Sequence, residues 1–497
     1  MNINVRKGDV TEEKCDLLVV NCFEGVKKPE GTTGAVDEAL GGKLSRYWAA
    51  DKFTGKLGTS FMMHIDGDLP AARVLVVGLG KKEAFTTEAV RQAAAVSMNT
   101  AVALGATSVV SVLHGAGESE LTPRGCARAM AEGVRLAGYK FSKYKEDKTK
   151  TPKRFDIVST DGRVVRAAVN GVEDGEIGAM GANFARDLVN TPGHEMHPEV
   201  LVDTAREIVK GKGTLKIKVY NREKLEKMGA GGILGVAKGS DFPPYMVHMI
   251  YKPAKPTKKK VALVGKAVTF DSGGLSLKPS GSMETMKVDM AGSAAVLGAF
   301  SVIDRLSPKV EVHGIFGAVE NMPSGRAVRP GDVLQAMNKK TIEVLNTDAE
   351  GRLTLADTLS YAVKQKPDAI VDLATLTGAC VVALGEEISG VMGNNDKLAK
   401  QVLEAAAAAG EKMWELPLEK NYRKLIDSDI ADIKNIGSRW GGSLTAGLFL
   451  QEFVGETPWV HLDIAGPAYA ERPIDPYTKK GATGHAVRTL LEYLRAF

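Results

Sequence analysis

Short apolar runs alternate with helical stretches along the first third of the chain. Residues 15–21 (CDLLVVN) and 73–77 (RVLVV) are continuous apolar runs of strand length, the pattern of strands buried on both faces. Residues 87–104 form an alanine-rich helical stretch, and the apolar run 108–113 follows it. Strand, helix and strand in that order predict an α/β domain. Residues 144–153 (YKEDKTKTPK) are polar, charged and contain a proline, so they read as a loop near a boundary.

From residue 172 to 189 the pattern becomes helical and stops at Asn190-Thr191-Pro192, which predicts a helix bridging two domains. The strand candidates beyond it are residues 215–220, 261–264, 310–319, 342–345 and 369–373. Helical segments at 291–306, 353–364 and 396–409 lie between or after them. This alternation predicts a mostly parallel central sheet flanked by helices on both faces. A last helix, 484–495, places Val487, Leu490, Leu491 and Leu494 on one stripe and is expected to pack on the core. The expected division is an N-terminal α/β domain over 1–168, a connecting helix over 169–192, and a larger α/β domain over 193–497.

Composition narrows the class. A hydrophobic fraction of 44% and a charged fraction of 25% are those of a globular chain, not a disordered or collagenous one. Four cysteines, Cys15, Cys22, Cys126 and Cys380, with no CxxC pair, argue against a disulfide scaffold and a cysteine zinc site. No apolar run approaches the roughly 18 residues that span a bilayer. The start, MNINVRKGDVTEEKC, has no apolar stretch of signal-peptide type, so the expected compartment is the cytoplasm and no membrane partner is expected. The net charge is 65 − 60 = +5, too mild for a dedicated nucleic-acid domain. The lysines at 258–260 and the stretch 143–154 read as solvated loops rather than a phosphate-contacting stripe.

In open α/β sheets, ligands bind beyond the carboxyl ends of the strands. After strand 261–264 come Gly265-Lys266 and then Phe270-Asp271-Ser272-Gly273-Gly274. After 342–345 comes NTDAEGR, and after 369–373 comes Ala374-Thr375-Leu376-Thr377-Gly378. Asp348, Glu350 and Arg352 stand at i, i+2 and i+4, and in extended backbone would point the same way. Two readings remain for the triplet: a solvated turn with an ion pair, or ligands of a cation. If Asp271 and Asp289 reach the same rim, four carboxylates call for about four positive charges, which two divalent metals supply. Lys266 leaves the same strand and is either a salt-bridge partner or a metal ligand, the latter requiring a neutral amine. His194-Glu195-Met196-His197 is one residue short of HExxH and is followed by Pro198, so it reads as a loop. No GxxxxGK[ST], complete dinucleotide fingerprint or GxSxG occurs. A carboxylate-rich site suits zinc, manganese or magnesium.

Asn346–Leu353, NTDAEGRL, resembles the signature of the leucyl aminopeptidase family, the hexameric dinuclear metallo-aminopeptidases. VGKAVTFDSGGLSLKPS, MKVDMAG, NTDAEGRL and DLATLTGA follow in the family's order, with ARDLVNTP before them and HLDIAGPA near the end. The resemblance covers nearly all of the second part and, more loosely, the first, where it implies a macro-like domain. It implies metal ligands Lys266, Asp271, Asp289, Asp348 and Glu350, with Asp271 and Glu350 bridging two divalent ions, Mn²⁺ or Zn²⁺. Lys278 and Arg352 would be the catalytic cations, and Arg352 would hold a bicarbonate. The Leu376 carbonyl would help hold the substrate. Met286 and Ala465 would line an apolar first-residue pocket with Thr375 and Gly378 at its wall, although Met286 equally suits core packing. Ala468 stands where some relatives carry Met. The implied reaction is release of N-terminal leucine and other apolar residues from peptides by metal-activated water, in intracellular peptide turnover. A homohexamer is implied too. Some bacterial members also bind DNA, a role for which the scattered lysines here give no sequence support.

Overall fold

The computed structural model describes all residues except Glu118 and Lys148, so Lys148 of the charged stretch 143–154 lies outside the described residues. The chain forms two compact units, Met1–Met180 with Arg472–Lys480, and Gly181–Glu471 with Gly481–Phe497.

In the first unit the strands are Asn2–Lys7 (β1), Leu17–Cys22 (β2), Ser60–His64 (β3), Arg73–Gly78 (β4), Ser108–Val112 (β5) and Arg154–Ser159 (β6). Their order in the sheet is β1-β6-β5-β2-β4-β3, parallel except for β3 against β4. β2 is buried at every residue, which is why its sequence is continuously apolar rather than alternating. The alanine-rich stretch is the helix Thr87–Ala103, and the polar stretch before β6 forms no helix or strand among its described residues.

The expected bridging helix is longer than its periodicity suggested. It runs Gly162–Asn190, because the glycines at 162 and 171 lower local helix propensity without breaking a helix held by packing. The division between the units falls within it.

The second unit's strands are Leu215–Tyr220 (β7), Tyr245–Tyr251 (β8), Lys260–Asp271 (β9), Glu311–Asn321 (β10), Val333–Gln335 (β11), Thr341–Glu343 (β12), Ala369–Ala374 (β13), Ser389–Gly393 (β14), Met413–Glu415 (β15), Ile433–Lys434 (β16), Trp459–Asp463 (β17), Tyr469–Ala470 (β18) and Gly481–Ala482 (β19). Eight of them form the central sheet, in the order β15-β14-β17-β13-β9-β10-β8-β7. Its middle, β17-β13-β9-β10, is parallel, whereas β8, β7 and the β14–β17 pairing are antiparallel. The sheet is therefore mixed toward its edges, where short antiparallel neighbours need no crossover helix.

Two expectations change here. Residues 342–345 do not join the central sheet; β12 pairs with β11 and β16 in a separate three-stranded sheet. Strand 261–264 does not end before Lys266; β9 continues through Asp271 with Lys266 buried inside it. A lysine and an aspartate mask a strand in sequence, but the β10 register carries the pairing on to Asn321–Asp271.

The helices Ala291–Leu306, Gly351–Lys364 and Asp396–Ala409 agree with the pattern, the third capped by the Asn395 side chain on the Leu398 N–H. The last helix begins at Val487, three residues later than expected, and buries Val487, Leu490, Leu491 and Leu494. The helical run Ser280–Leu306 is, against expectation, long and apolar enough by composition to cross a membrane. Its most apolar window is 83% buried within the fold, with Val296, Leu297, Phe300, Val302 and Ile303 among the buried residues, as in a close-packed core helix.

Candidate metal centre and active site

Four segments of the second unit converge at the ends of β9 and β10. β9 contributes Lys266 and Asp271. The turn after it contributes Lys278, the short helix Met286–Met290 contributes Asp289, and the start of helix Gly351–Lys364 contributes Glu350. Asp348 and Glu350 are not on extended backbone. Glu350 already has helical dihedrals, so Arg352 lies in the first turn of the helix and points elsewhere.

The contacts are short and mutual. Lys266 Nζ lies 2.6 Å from Asp289 Oδ1 and 2.8 Å from Glu350 Oε1, and donates to the Thr375 carbonyl at 2.9 Å. Lys278 Nζ pairs with Asp271 Oδ2 at 2.9 Å and with Asp348 Oδ1. Asp271 Oδ1 accepts from the Gly273 N–H and from Asn321 Nδ2, each at 2.8 Å. Thr375 Oγ1 donates to Asp289 Oδ1 at 2.7 Å. Asp271, Asp348 and Glu350 each offer an oxygen within 4.8 Å of the other two, an arrangement able to hold a metal ion.

Two glycines make this crowding possible. A Cβ on Gly351 would lie 2.3 Å from Lys266 Cε, so the lysine crosses the helix start where only hydrogen fits. Gly273 has φ +85°, and a Cβ there would meet the Ser276 carbonyl at 2.5 Å and Asp348 Oδ1 at 2.9 Å.

Burial sets the electrostatics. Lys266, Asp271, Asp289 and Glu350 are each at most 4% exposed, so charge here cannot be screened by water. Burial raises the Asp289 carboxyl well above its ordinary range, with Glu350 and Asp271 adding to the rise against Lys266. Burial and the neighbouring Glu350 raise Asp271, and burial raises Asp348. Lys266 is pulled down by burial, but Asp289, Glu350 and Asp271 outweigh this and leave its pKa raised. Asp289 Oδ2 and both Glu350 oxygens have no hydrogen-bond partner, although Glu350 Oε1 faces Lys266. Carboxylate oxygens buried without donors are costly, and a cation among them removes the cost. The oxygen-rich donor set with one amine therefore fits divalent ions.

Arg352 stands apart from this cluster. It is buried, donates from Nη1 to the Asn435 carbonyl at 2.8 Å, and leaves Nε without a partner. Burial lowers its pKa to about 10 against the opposing pull of Glu350 and Asp463. Thr375 joins the cluster directly, and Leu376 and Ala465 sit on neighbouring loops whose N–H groups share the Asp463 carboxylate. Met286 opens the short helix that carries Asp289 and is half-buried, and Gly378 is exposed at the start of helix Gly378–Leu384.

Asn321, Thr347 and Asn435 complete the surroundings and were not singled out by sequence. Asn321 Nδ2 also donates to the Thr347 carbonyl at 3.0 Å, and Asn435 accepts from the Leu345 and Asn346 N–H groups, fixing the NTDAEGRL turn. Asn321 ends β10 beside Asp271, so the strand-end rule could have found it. Asn435 follows a two-residue strand that carries no sequence signal.

The first family model to match describes the cytosol aminopeptidase family's catalytic domain and covers residues 183–491; a second describes that family's N-terminal domain and covers residues 19–148. A "Probable cytosol aminopeptidase" of Cyanothece sp. (strain PCC 7425 / ATCC 29141) is 43% identical over 99% of both chains. A protein of the same name from Alkaliphilus oremlandii is 42% identical over 100% of this chain and 99% of its own. Among solved structures, a tomato leucine aminopeptidase mutant superposes with TM-score 0.90 at 36% identity, covering 100% of this chain and 97% of that one. The bottromycin maturation enzyme BotP in complex with Mn superposes with TM-score 0.86 at 37% identity, covering 97% and 99%. With matches across both units, the chain belongs to the cytosol aminopeptidase family, the leucyl aminopeptidases, and is a metal-dependent exopeptidase that hydrolyses peptides from the amino terminus.

Proposed function

We propose that this chain releases N-terminal leucine and other apolar residues from peptides at the carboxylate–lysine cluster, using two divalent ions. The observation that carries this reading is the pair of buried carboxylate oxygens, Asp289 Oδ2 and Glu350 Oε2, left without a donor in a cluster of four carboxylates. Lys266, Asp271, Asp289, Asp348 and Glu350 would hold the ions. Four carboxylates balance two dications if Lys266 binds as a neutral amine, a state that dications beside it favour over the paired ammonium. When bound, the ions supply Lewis-acid activation of a water molecule and of the scissile carbonyl. Mn²⁺ or Zn²⁺ suits the donors, and the manganese in the related BotP structure agrees with the first.

The chain's own groups do the rest. Lys278, freed from Asp271 and Asp348, places its ammonium against the carbonyl oxygen as negative charge develops there. Arg352 offers a buried guanidinium with an unpartnered Nε, suited to hold a small anion such as bicarbonate that carries the proton from water to the leaving amine. The Leu376 carbonyl orients the peptide. Met286, Thr375, Gly378 and Ala465 border the first side chain, with the small Ala468 leaving room nearby. These residues lie in 193–497, which we read as the catalytic domain. Residues 1–168 are then the macro-like domain and 169–192 the connecting helix. Intracellular peptide turnover in the cytoplasm, by a homohexamer, is the physiological role that fits the family.

Hydrolysis of leucine-p-nitroanilide and its N-acetyl analogue tests the reading, with Mn²⁺ or Zn²⁺, with chelator, and with Glu350→Ala. Cleavage of the free-amine substrate alone, lost with chelator and in the variant, is the expected result. Cleavage that survives Glu350→Ala would move the chemistry away from this cluster.

A further inference from the structure

We propose that Asp463 is a positioning residue that sets the substrate cleft by holding its two loops together. The side chain is fully buried at the end of β17, opposite Ala374 of β13. Among the described residues no lysine, arginine or histidine forms an ion pair with it, although Arg352 and His461 stand near enough to feel its charge. Its charge is met by donors from two loops. Oδ1 accepts from the Leu376 N–H at 3.2 Å, the Thr377 N–H at 3.4 Å and the Ala465 N–H at 3.2 Å, and Oδ2 accepts from Thr377 Oγ1 at 2.7 Å.

A buried carboxylate with no cation in contact is a poor device for stability alone, because hydrogen bonds must meet most of its desolvation cost. A neutral amide or an apolar pair could fill the same space. What the carboxylate provides is one acceptor atom shared by N–H groups of residues 376, 377 and 465. It thereby fixes the distance between the loop after β13 and the loop after β17. The first loop also reaches the cluster, through Thr375 Oγ1 on Asp289 and the Thr375 carbonyl on Lys266. Thr377 Oγ1 locks its far side by accepting from the Cys380 N–H at 3.0 Å and bonding to Ser443 Oγ at 3.0 Å. Leu376 and Ala465 thus have their separation set by a residue that need not touch substrate. Asp372, one strand over, makes a useful contrast: its partners are Trp459 Nε1 and His461 Nδ1, both side chains in the strand interior, and it bears on no loop.

The inference rests on the proposed reading that these loops form the first-residue pocket, and its test separates the two. Wild type, Asp463→Ala, Asp463→Asn and Thr377→Val are compared for kcat and KM on leucine- and alanine-p-nitroanilide. Manganese content and thermal midpoint are measured on the same samples. Asp463→Ala is expected to raise KM for the leucine substrate about tenfold and to collapse the leucine-over-alanine preference, with bound manganese retained. Asp463→Asn keeps one acceptor oxygen and should recover to within about threefold of wild type. Thr377→Val should shift KM in the same direction by about threefold. A lowered thermal midpoint with unchanged KM and unchanged preference would make Asp463 structural only and overturn the proposal. If Asp463→Ala fails to fold, the same pair of readings on Asp463→Asn and Thr377→Val decides. Inactivity of the metal-loaded wild type would instead sink the reading of the site.

Discussion

Two polar clusters of the second unit meet opposite ends of β10, and their hydrogen-bond accounts differ. At the end of β10, near Asn321, stands the carboxylate–lysine cluster. At its start, Glu311 and His313 belong to a chain of hydrogen bonds that also takes in β7, β8 and the far end of helix Gly351–Lys364. In that chain Tyr220 and Tyr361 hydroxyls meet at 2.8 Å, Tyr361 meets His248 Nδ1 at 3.0 Å, His248 Nε2 meets His313 Nδ1 at 2.7 Å, and His313 Nε2 meets Glu311 at 2.8 Å. One proton assignment with both imidazoles neutral satisfies every link: Tyr220 donates to Tyr361, Tyr361 to His248, His248 to His313, and His313 to Glu311. None of these atoms lacks a partner, whereas the carboxylate cluster leaves several oxygens without donors. A closed network rigidifies a fold; an open one with more buried carboxylates than cations awaits positive charge from outside.

Removing a group from the open cluster should therefore abolish chemistry, and removing one from the closed chain should cost stability. The largest effect is expected for Glu350→Ala, with kcat/KM on leucine-p-nitroanilide falling on the order of a thousandfold or more. The far-ultraviolet circular dichroism spectrum should stay unchanged. Lys278→Ala comes next: a loss of about 100- to 1000-fold carried by kcat, because the ammonium matters most as the carbonyl oxygen gains charge. A loss confined to KM would show Lys278 to be a binding group only. Asn321→Ala removes a donor to Asp271 and should raise the Mn²⁺ concentration for half-activation about 10- to 100-fold, read by metal titration of activity.

The smallest effect on activity is expected in the closed chain. Burial pushes His248 down to about 3, with His313, Lys218 and Lys260 adding to the fall, and Tyr361 faces its other nitrogen. The folded value lies below the unfolded value of about 6.5, so the unfolded state binds the extra proton. The stability contribution is complete above about pH 6.5 and is lost as pH falls toward 3. Between pH 7 and pH 5 this amounts to up to about 2 kcal/mol in urea unfolding. His248→Gln should flatten that dependence and leave kcat at pH 7 within about twofold. A large drop in kcat at pH 7 with unchanged stability would break the contrast between the clusters.

Much of this was legible in the chain. Apolar runs located β2, β4, β5, β10 and β13 because strands buried on both faces must be apolar on both, whereas β7, LKIKVY, is an antiparallel edge strand with alternating apolar and lysine positions. Helix Asp396–Ala409 was legible because its periodicity and its Asn395 and Gly410 ends agree. The order of motifs gave the family and, through it, candidate residues that the fold brings into one cluster. What stayed hidden were features decided by partners distant in sequence. β9 runs on past Lys266 because β10 pairs with it as far as Asn321, and no local pattern announces a lysine inside a strand. β12 left the central sheet because its neighbours are β11 and β16, which are too short to show a period. The triplet 348, 350, 352 would share one direction only in extended backbone, yet helix Gly351–Lys364 begins inside it and Arg352 donates to the Asn435 carbonyl instead of pairing with either carboxylate. Asn435 gave no signal, and Asp463 stood inside the motif HLDIAGPA with no role marked, since both act by accepting from N–H groups of loops distant in sequence. The chain's local chemistry determined which residues could act and which segments could form strands and helices. Which of them met, and which carboxylates were left without donors, was decided only by tertiary packing, because desolvation and charge balance depend on every neighbour in space.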